Sequence, residues 1–349
     1  MYRKFMIFLE AWKNSVHRKP LILQGARQVG KTYSILEFGR THYENVAYFN
    51  FETNPKLNET FEENISPDYL IPILSHIAGQ TIVKEKTLIV FDEVQLCERA
   101  LTSLKYFCED AQDYHIIVAG SLLGVAVNRA KFSFPVGKVD MKTLYPMDME
   151  EFMLALGEND LVEQIKKCFQ TDTPLPSALH DAAMQLYRQY LVVGGMPECV
   201  MHFAETKDYI LVRHTQDTIL ASYLNDMGKY NTPNKVKKIM LVYDSITVQL
   251  SRKNTRFQYK LIKKGGRASE FENAIEWLCL SGIVSQVYKV EQIKKPLENY
   301  RDIDAFKIYV SDLGLLCAKK DLAANDILYM VEEINDFKGG MAENYVNVQ

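Results

Sequence analysis

No stretch of this sequence approaches the run of about 20 apolar residues that a membrane helix needs, and no two cysteines form a C-x-x-C pair. The six cysteines (Cys97, Cys108, Cys168, Cys199, Cys279, Cys317) and the seven histidines are scattered along the chain, which argues against a zinc site or a redox pair. Free, mostly buried thiols in a reducing cytoplasm are the expectation. There is little net charge: 41 Lys plus Arg against 44 Asp plus Glu leave −3, so the overall balance announces no nucleic-acid partner. The opening MYRKFMIFLEAWKN interrupts its apolar stretch with Glu10, lacks a small-residue cleavage site, and does not read as a signal peptide. Internal repeats, low-complexity tracts and a guanine-reading N-K-x-D motif are all missing. What remains is 349 residues of ordinary globular composition, 47% hydrophobic and 24% charged, enough for two or three domains.

The first third alternates strand and helix patterns. Apolar strands are expected at 21–23, 46–51, 87–91 and 115–119, with a fifth over 138–144. Helices are expected over 31–40, 55–76 (broken by Pro67 and Pro72) and 95–111. Short apolar strands separated by helices predict a parallel sheet covered on both faces. Beyond Pro146 the patterning turns helical to about residue 230, interrupted at 171–176 and by the turn Gly194-Gly195-Met196-Pro197. Leu186, Tyr190, Val193, Tyr223 and Met227 read as core. Helices over 234–250 and 268–281, then strands over 283–290 and 306–310, describe a winged helix.

One run carries specific chemistry. Gly25-Ala26-Arg27-Gln28-Val29-Gly30-Lys31-Thr32 fits G-x-x-x-x-G-K-[ST], the Walker A pattern, between a strand and a helix. The glycines let successive N–H groups turn toward phosphate oxygens, and the helix expected over 31–40 points its positive end, with Lys31, Thr32 and Tyr33 in its first turn, at the same anion. Lys31 supplies a cation for the β- and γ-phosphates, and Thr32 a hydroxyl for Mg2+. The strand Thr87–Phe91 ends in Asp92 and Glu93, the Walker B position, where a buried strand delivers carboxylates to the ligand crevice of an α/β sheet. Asp92 suits the metal and Glu93 the activation of water. Ser121 ends the strand HIIVA-Gly120 and either senses the γ-phosphate or caps a helix. Arg99, Arg129 and Lys138 are alternatives for a charge-stabilising cation supplied by a neighbouring subunit.

GARQVGKT, LIVFDEVQ and VAGS, in that order and spacing, resemble AAA-type P-loop ATPases with a glutamate beside the magnesium aspartate. SFPVGKVDMKTLYPMDMEEF, YLVVGGMPECV, SYLNDMGKY and FKGGMAENYV extend the resemblance to a prokaryotic group of ATP-binding proteins. In that group an AAA domain precedes a helical segment, a winged helix and a C-terminal domain of unknown function. The resemblance implies a P-loop NTPase domain over 1–145, a helical lid over 146–230, a winged helix over 231–325, and the opening of a further domain over 326–349. Many relatives carry arginine where Lys138 stands, and usually continue past the segment ending at Gln349 into a small nuclease-like domain. Glu343 is the one acidic position of such a site within these residues.

Charge is distributed unevenly. Between Lys229 and Arg267 eleven cations (Lys229, Lys235, Lys237, Lys238, Arg252, Lys253, Arg256, Lys260, Lys263, Lys264, Arg267) face one acid, Asp244, giving +10. This segment reads either as a DNA-backbone surface or as a face that docks on a protein. Two functions stand side by side: Mg2+-dependent ATP hydrolysis in the cytoplasm, by a chain able to oligomerise, or a nucleotide-gated binding module with slow or no turnover.

Overall fold

The computed structural model describes residues 1–349 except 121–124, 126–133, 230 and 253–255. The chain divides once into compact units, Arg3–Tyr145 and 146–349, the latter grouped with Met1 and Tyr2.

The Arg3–Tyr145 unit is built on a five-stranded, wholly parallel sheet. Its strands are β1 (Leu21–Gln24), β2 (Asn45–Asn50), β3 (Thr87–Asp92), β4 (His115–Ala119) and β5 (Asp140–Thr143), in spatial order β2-β3-β4-β1-β5. Every residue of β3 and β4 is buried, as expected of central parallel strands covered on both faces. On one face Ala47, Phe49, Ile89, Phe91, Ile116 and Val118 pack against α3 (Lys56–Glu63), α4 (Pro67–Ala78) and α5 (Glu98–Asp110). On the other lies α2 (Lys31–His42), packed beside α1 (Phe5–Lys13), with Gly39 closing on Val46 and Leu88.

The 55–76 pattern does break before Pro67: α3 ends at Glu63 and Pro67 opens α4, whose first turn needs no N–H from it, whereas Pro72 does not break the helix and is carried inside α4. The helix expected from residue 95 begins at Glu98, after a short 3-10 turn over Val94–Leu96.

Residues 146–349 are mainly helical. Helix Met149–Ala155 opens on a capping box between Asp148 and Glu151. Helices Ser177–Val193 and Pro197–Thr206 flank the Gly194-Gly195 turn, and Leu186, Tyr190, Val193, Tyr223 and Met227 are buried. Helices Pro233–Ser251 and Ala268–Leu280 precede an antiparallel hairpin, β6 (Val284–Val290) with β7 (Arg301–Val310). β7 starts five residues earlier than its apolar pattern, since Arg301 and Asp302 extend the pairing on the exposed part of the hairpin.

Asp312, 1% exposed, accepts hydrogen bonds from Gly195 N (2.6 Å) and Leu315 N (2.8 Å), capping helix Leu313–Lys319. Burial pushes its carboxyl up to about 6, against the downward pull of these backbone donors. Among the described residues no helix is long and apolar enough to cross a membrane.

Candidate functional site

The loop from Gly25 to Gly30 joins β1 to α2 with backbone angles that few side chains accept. Gly25 has φ 145°, and a β-carbon there would lie 2.2 Å from the Leu144 carbonyl oxygen. Gly30, at φ 88°, is the left-handed residue from which α2 starts. Ala26 and Val29 are buried and anchor the loop, whereas Arg27 and Gln28 stand outside. Arg3 braces it from below, donating to Val29 O (3.4 Å) and Tyr145 O (2.7 Å).

Lys31 is 7% exposed, and its Nζ donates to Gly25 O (2.8 Å) and Ala26 O (2.7 Å). Burial pushes its pKa down to about 8; Glu93 and Asp92 act in the opposite direction, and Arg27 adds to the depression. An ammonium held this way sits in a setting that an added anion would relieve. Tyr33, two residues on, is exposed.

Asp92 ends β3 and is 5% exposed. Its Oδ2 accepts from Thr32 Oγ1 (2.8 Å) and from Tyr48 OH (2.8 Å), while Oδ1 accepts from Glu93 N (2.9 Å). Thr32 spends its only proton on Asp92, so the lone pairs of Oγ1 stay available to a cation. A hydroxyl with free lone pairs beside a carboxylate is an oxygen donor set that suits Mg2+. Glu93 takes a left-handed backbone (φ 52°), and Gln95 Nε2 donates to its Oε2.

The structure thus brings Lys31, Thr32, Asp92 and Glu93 together. Ser121 and Arg129 lie outside the described residues. Arg99 is bonded to Phe61 O (3.0 Å) and lies 3.6 Å from Glu62, and Lys138 pairs with Glu109 at 2.9 Å. Both pairs are made within this chain. Sequence reasoning missed Arg3, Tyr48 and Gln95. Gln95 sits two places past Glu93, and that spacing was the available signal.

Residues 17–153 match a family model described as an AAA domain. Residues 184–326 match one described as a domain of unknown function, DUF8612. No curated protein matches the chain. Similar solved structures include the ORC2 protein of Aeropyrum pernix in ADPNP and ADP complexes, at 13% identity and TM-score 0.43, covering 98% of this chain and 95% of that one. RuvB of Thermotoga maritima follows at 14% and 0.34, covering 81% and 87%. PCH-2 of C. elegans stands at 12% and 0.31, covering 59% of this chain, which spans only 63% of that one. At such scores these likenesses carry no weight for function. The parallel sheet, the glycine loop leading into α2 and the matched residues together make the N-terminal part of this chain an AAA-type P-loop domain, joined to a domain of unknown function.

Proposed function

We propose that this chain binds ATP with Mg2+ in the Gly25–Thr32 loop and hydrolyses its β–γ phosphoanhydride. The observation that carries the reading is the 2.8 Å hydrogen bond from Thr32 Oγ1 to Asp92 Oδ2, beside the buried Lys31 ammonium. It unites two motifs far apart in sequence at one end of the sheet. Lys31 leaves its carbonyl partners for phosphate oxygens, and the loop N–H groups and the positive end of α2 complete the cradle. Thr32 and Asp92 hold the metal, which when bound neutralises developing phosphate charge. Glu93 takes a proton from the attacking water, oriented by its backbone and by Gln95. Ser121 belongs to the proposal as an assisting group on sequence grounds alone.

The expected result is metal-dependent ATP turnover that Lys31→Ala abolishes together with binding. Binding without turnover, or no binding, would refute the hydrolase reading.

Binding without rapid turnover defines a second reading, a nucleotide-gated module that docks a partner.

For the partner we propose the phosphate backbone of DNA, contacted by a winged helix made of helices 233–251 and 268–280 and the β6–β7 hairpin. Lys235, Lys237 and Lys238 crowd the first turns of helix Pro233–Ser251, which has no acid there. Lys237, Lys238, Arg252, Arg256, Lys260, Lys264 and Arg267 are all exposed. The test is the salt dependence of binding to a short duplex.

A further inference from the structure

We propose that Tyr48 is a positioning residue of the metal site: its phenol fixes the Asp92 carboxylate and thereby sets how much Mg2+ the chain needs to bind ATP. The inference rests on the reading of Asp92 as a Mg2+ partner.

Tyr48 lies on β2, beside β3 in the sheet, with Asn50 in register with Asp92. Its hydroxyl stands 2.8 Å from Asp92 Oδ2, the same oxygen that Thr32 reaches. The direction of that bond follows from its neighbours. Asn50 Oδ1 accepts from Glu52 N (2.8 Å) and Thr53 N (3.1 Å), which fixes the amide so that Nδ2 faces Tyr48. Nδ2 then lies 3.2 Å from the phenolic oxygen and can only donate to it. The phenol therefore receives a hydrogen bond from Asn50 and sends its single proton to Asp92. Backbone turn, amide, phenol and carboxylate form one directed chain that ends on the proposed metal partner.

A carboxylate at a metal site needs such outer donors to hold its plane, and their removal commonly costs ten- to a hundredfold in metal affinity. Tyr48→Phe removes only the hydroxyl, leaving Asp92 its bonds from Thr32 and Glu93 N and keeping the ring. Tyr48 is 38% exposed, so this change leaves the core packing intact. Asn50→Ala removes the donor that directs the phenol and should act in the same direction more weakly.

The experiment titrates Mg2+ against binding of a fluorescent ATP analogue to the full chain, for wild type, Tyr48→Phe and Asn50→Ala, with a parallel series in EDTA. The expected result is a rise of about tenfold in the half-saturating Mg2+ for Tyr48→Phe, a smaller rise for Asn50→Ala, and unchanged affinity in EDTA. An unchanged Mg2+ requirement overturns the inference. Equal losses with and without metal also overturn it, because Tyr48 would then touch the nucleotide itself. If wild type fails to bind the analogue at any Mg2+ concentration, the nucleotide reading fails and this inference goes with it. Thermal melting without nucleotide checks that both variants are folded.

Discussion

Thr32 and Asp92 stand 60 residues apart in the chain and 2.8 Å apart in space, the hydroxyl donating to the carboxylate. The pairing commits the threonine proton and leaves its oxygen turned to whatever cation arrives. Thr32→Val, of equal shape but without the hydroxyl, should weaken Mg2+-dependent ATP binding by about ten- to a hundredfold, while Thr32→Ser should retain most of it. Calorimetric titration with and without metal checks this. Equal binding by the valine variant would mean that the threonine plays no part at the metal.

Lys31 carries a pH dependence whose sign can be worked out. Its folded pKa of about 8 lies below the 10.5 of an unburied lysine, so the unfolded chain binds more protons between those values. Folding is thus penalised by roughly 3 kcal/mol below pH 8, and the penalty fades as pH rises toward 10.5. Lys31→Met should remove the rise in stability between pH 8 and 10.5 that this lysine confers, and abolish ATP binding. For wild type, ATP affinity should decline as pH rises beyond 8, where the ammonium is lost. Affinity that stays flat to pH 9.5 would contradict this account.

Glu93→Gln should keep nucleotide affinity within about twofold and lower turnover by roughly 10²–10⁴, the range typical of a lost general base. Steady-state kinetics beside a binding measurement separates the two effects. Wild-type turnover no faster than that of the variant would leave the gated-module reading in possession of the site.

Gly25→Ala tests the loop itself. The added methyl meets the Leu144 carbonyl at 2.2 Å, on a backbone with φ 145°. The cost should be about 2–4 kcal/mol or a displaced loop, since strain and overlap act together. Chemical denaturation measures the first outcome and loss of ATP binding the second. A variant with native stability and native affinity would show that the loop can relax at no cost.

Binding of a short DNA duplex should fall steeply with salt. Four phosphate contacts predict a loss of about a hundredfold between 50 and 200 mM. Replacing Lys237, Lys238, Lys260 and Lys264 with alanine should flatten that slope. A flat wild-type response would assign the basic segment to a protein partner.

What could be read from the sequence was local. The glycine loop, its lysine and threonine, and the paired acids announce themselves because each needs a particular residue type at a fixed spacing along one segment. The strands were legible for a similar reason, since central parallel strands are continuous apolar runs such as TLIVF. Tyr48 was invisible because its partner arrives from β3, and within VAYFNF it looks like any outward strand residue. Arg3 was hidden likewise, its backbone acceptors being set by the fold. Arg99 and Lys138 could not be sorted by sequence either, because Phe61, Glu62 and Glu109 claim them only once the helices are packed.

The Asp312 carboxylate gives the region beyond residue 146 a shared fate. It ties the Gly195 turn, early in that region, to the helix that follows the hairpin, and both ends of the tie lie within the stretch 184–326. Severing the polypeptide near residue 230 and expressing either half alone would leave this acid, or the amide groups it serves, stranded in an apolar interior. Fragments designed at that point should precipitate separately and recover solubility only when produced together.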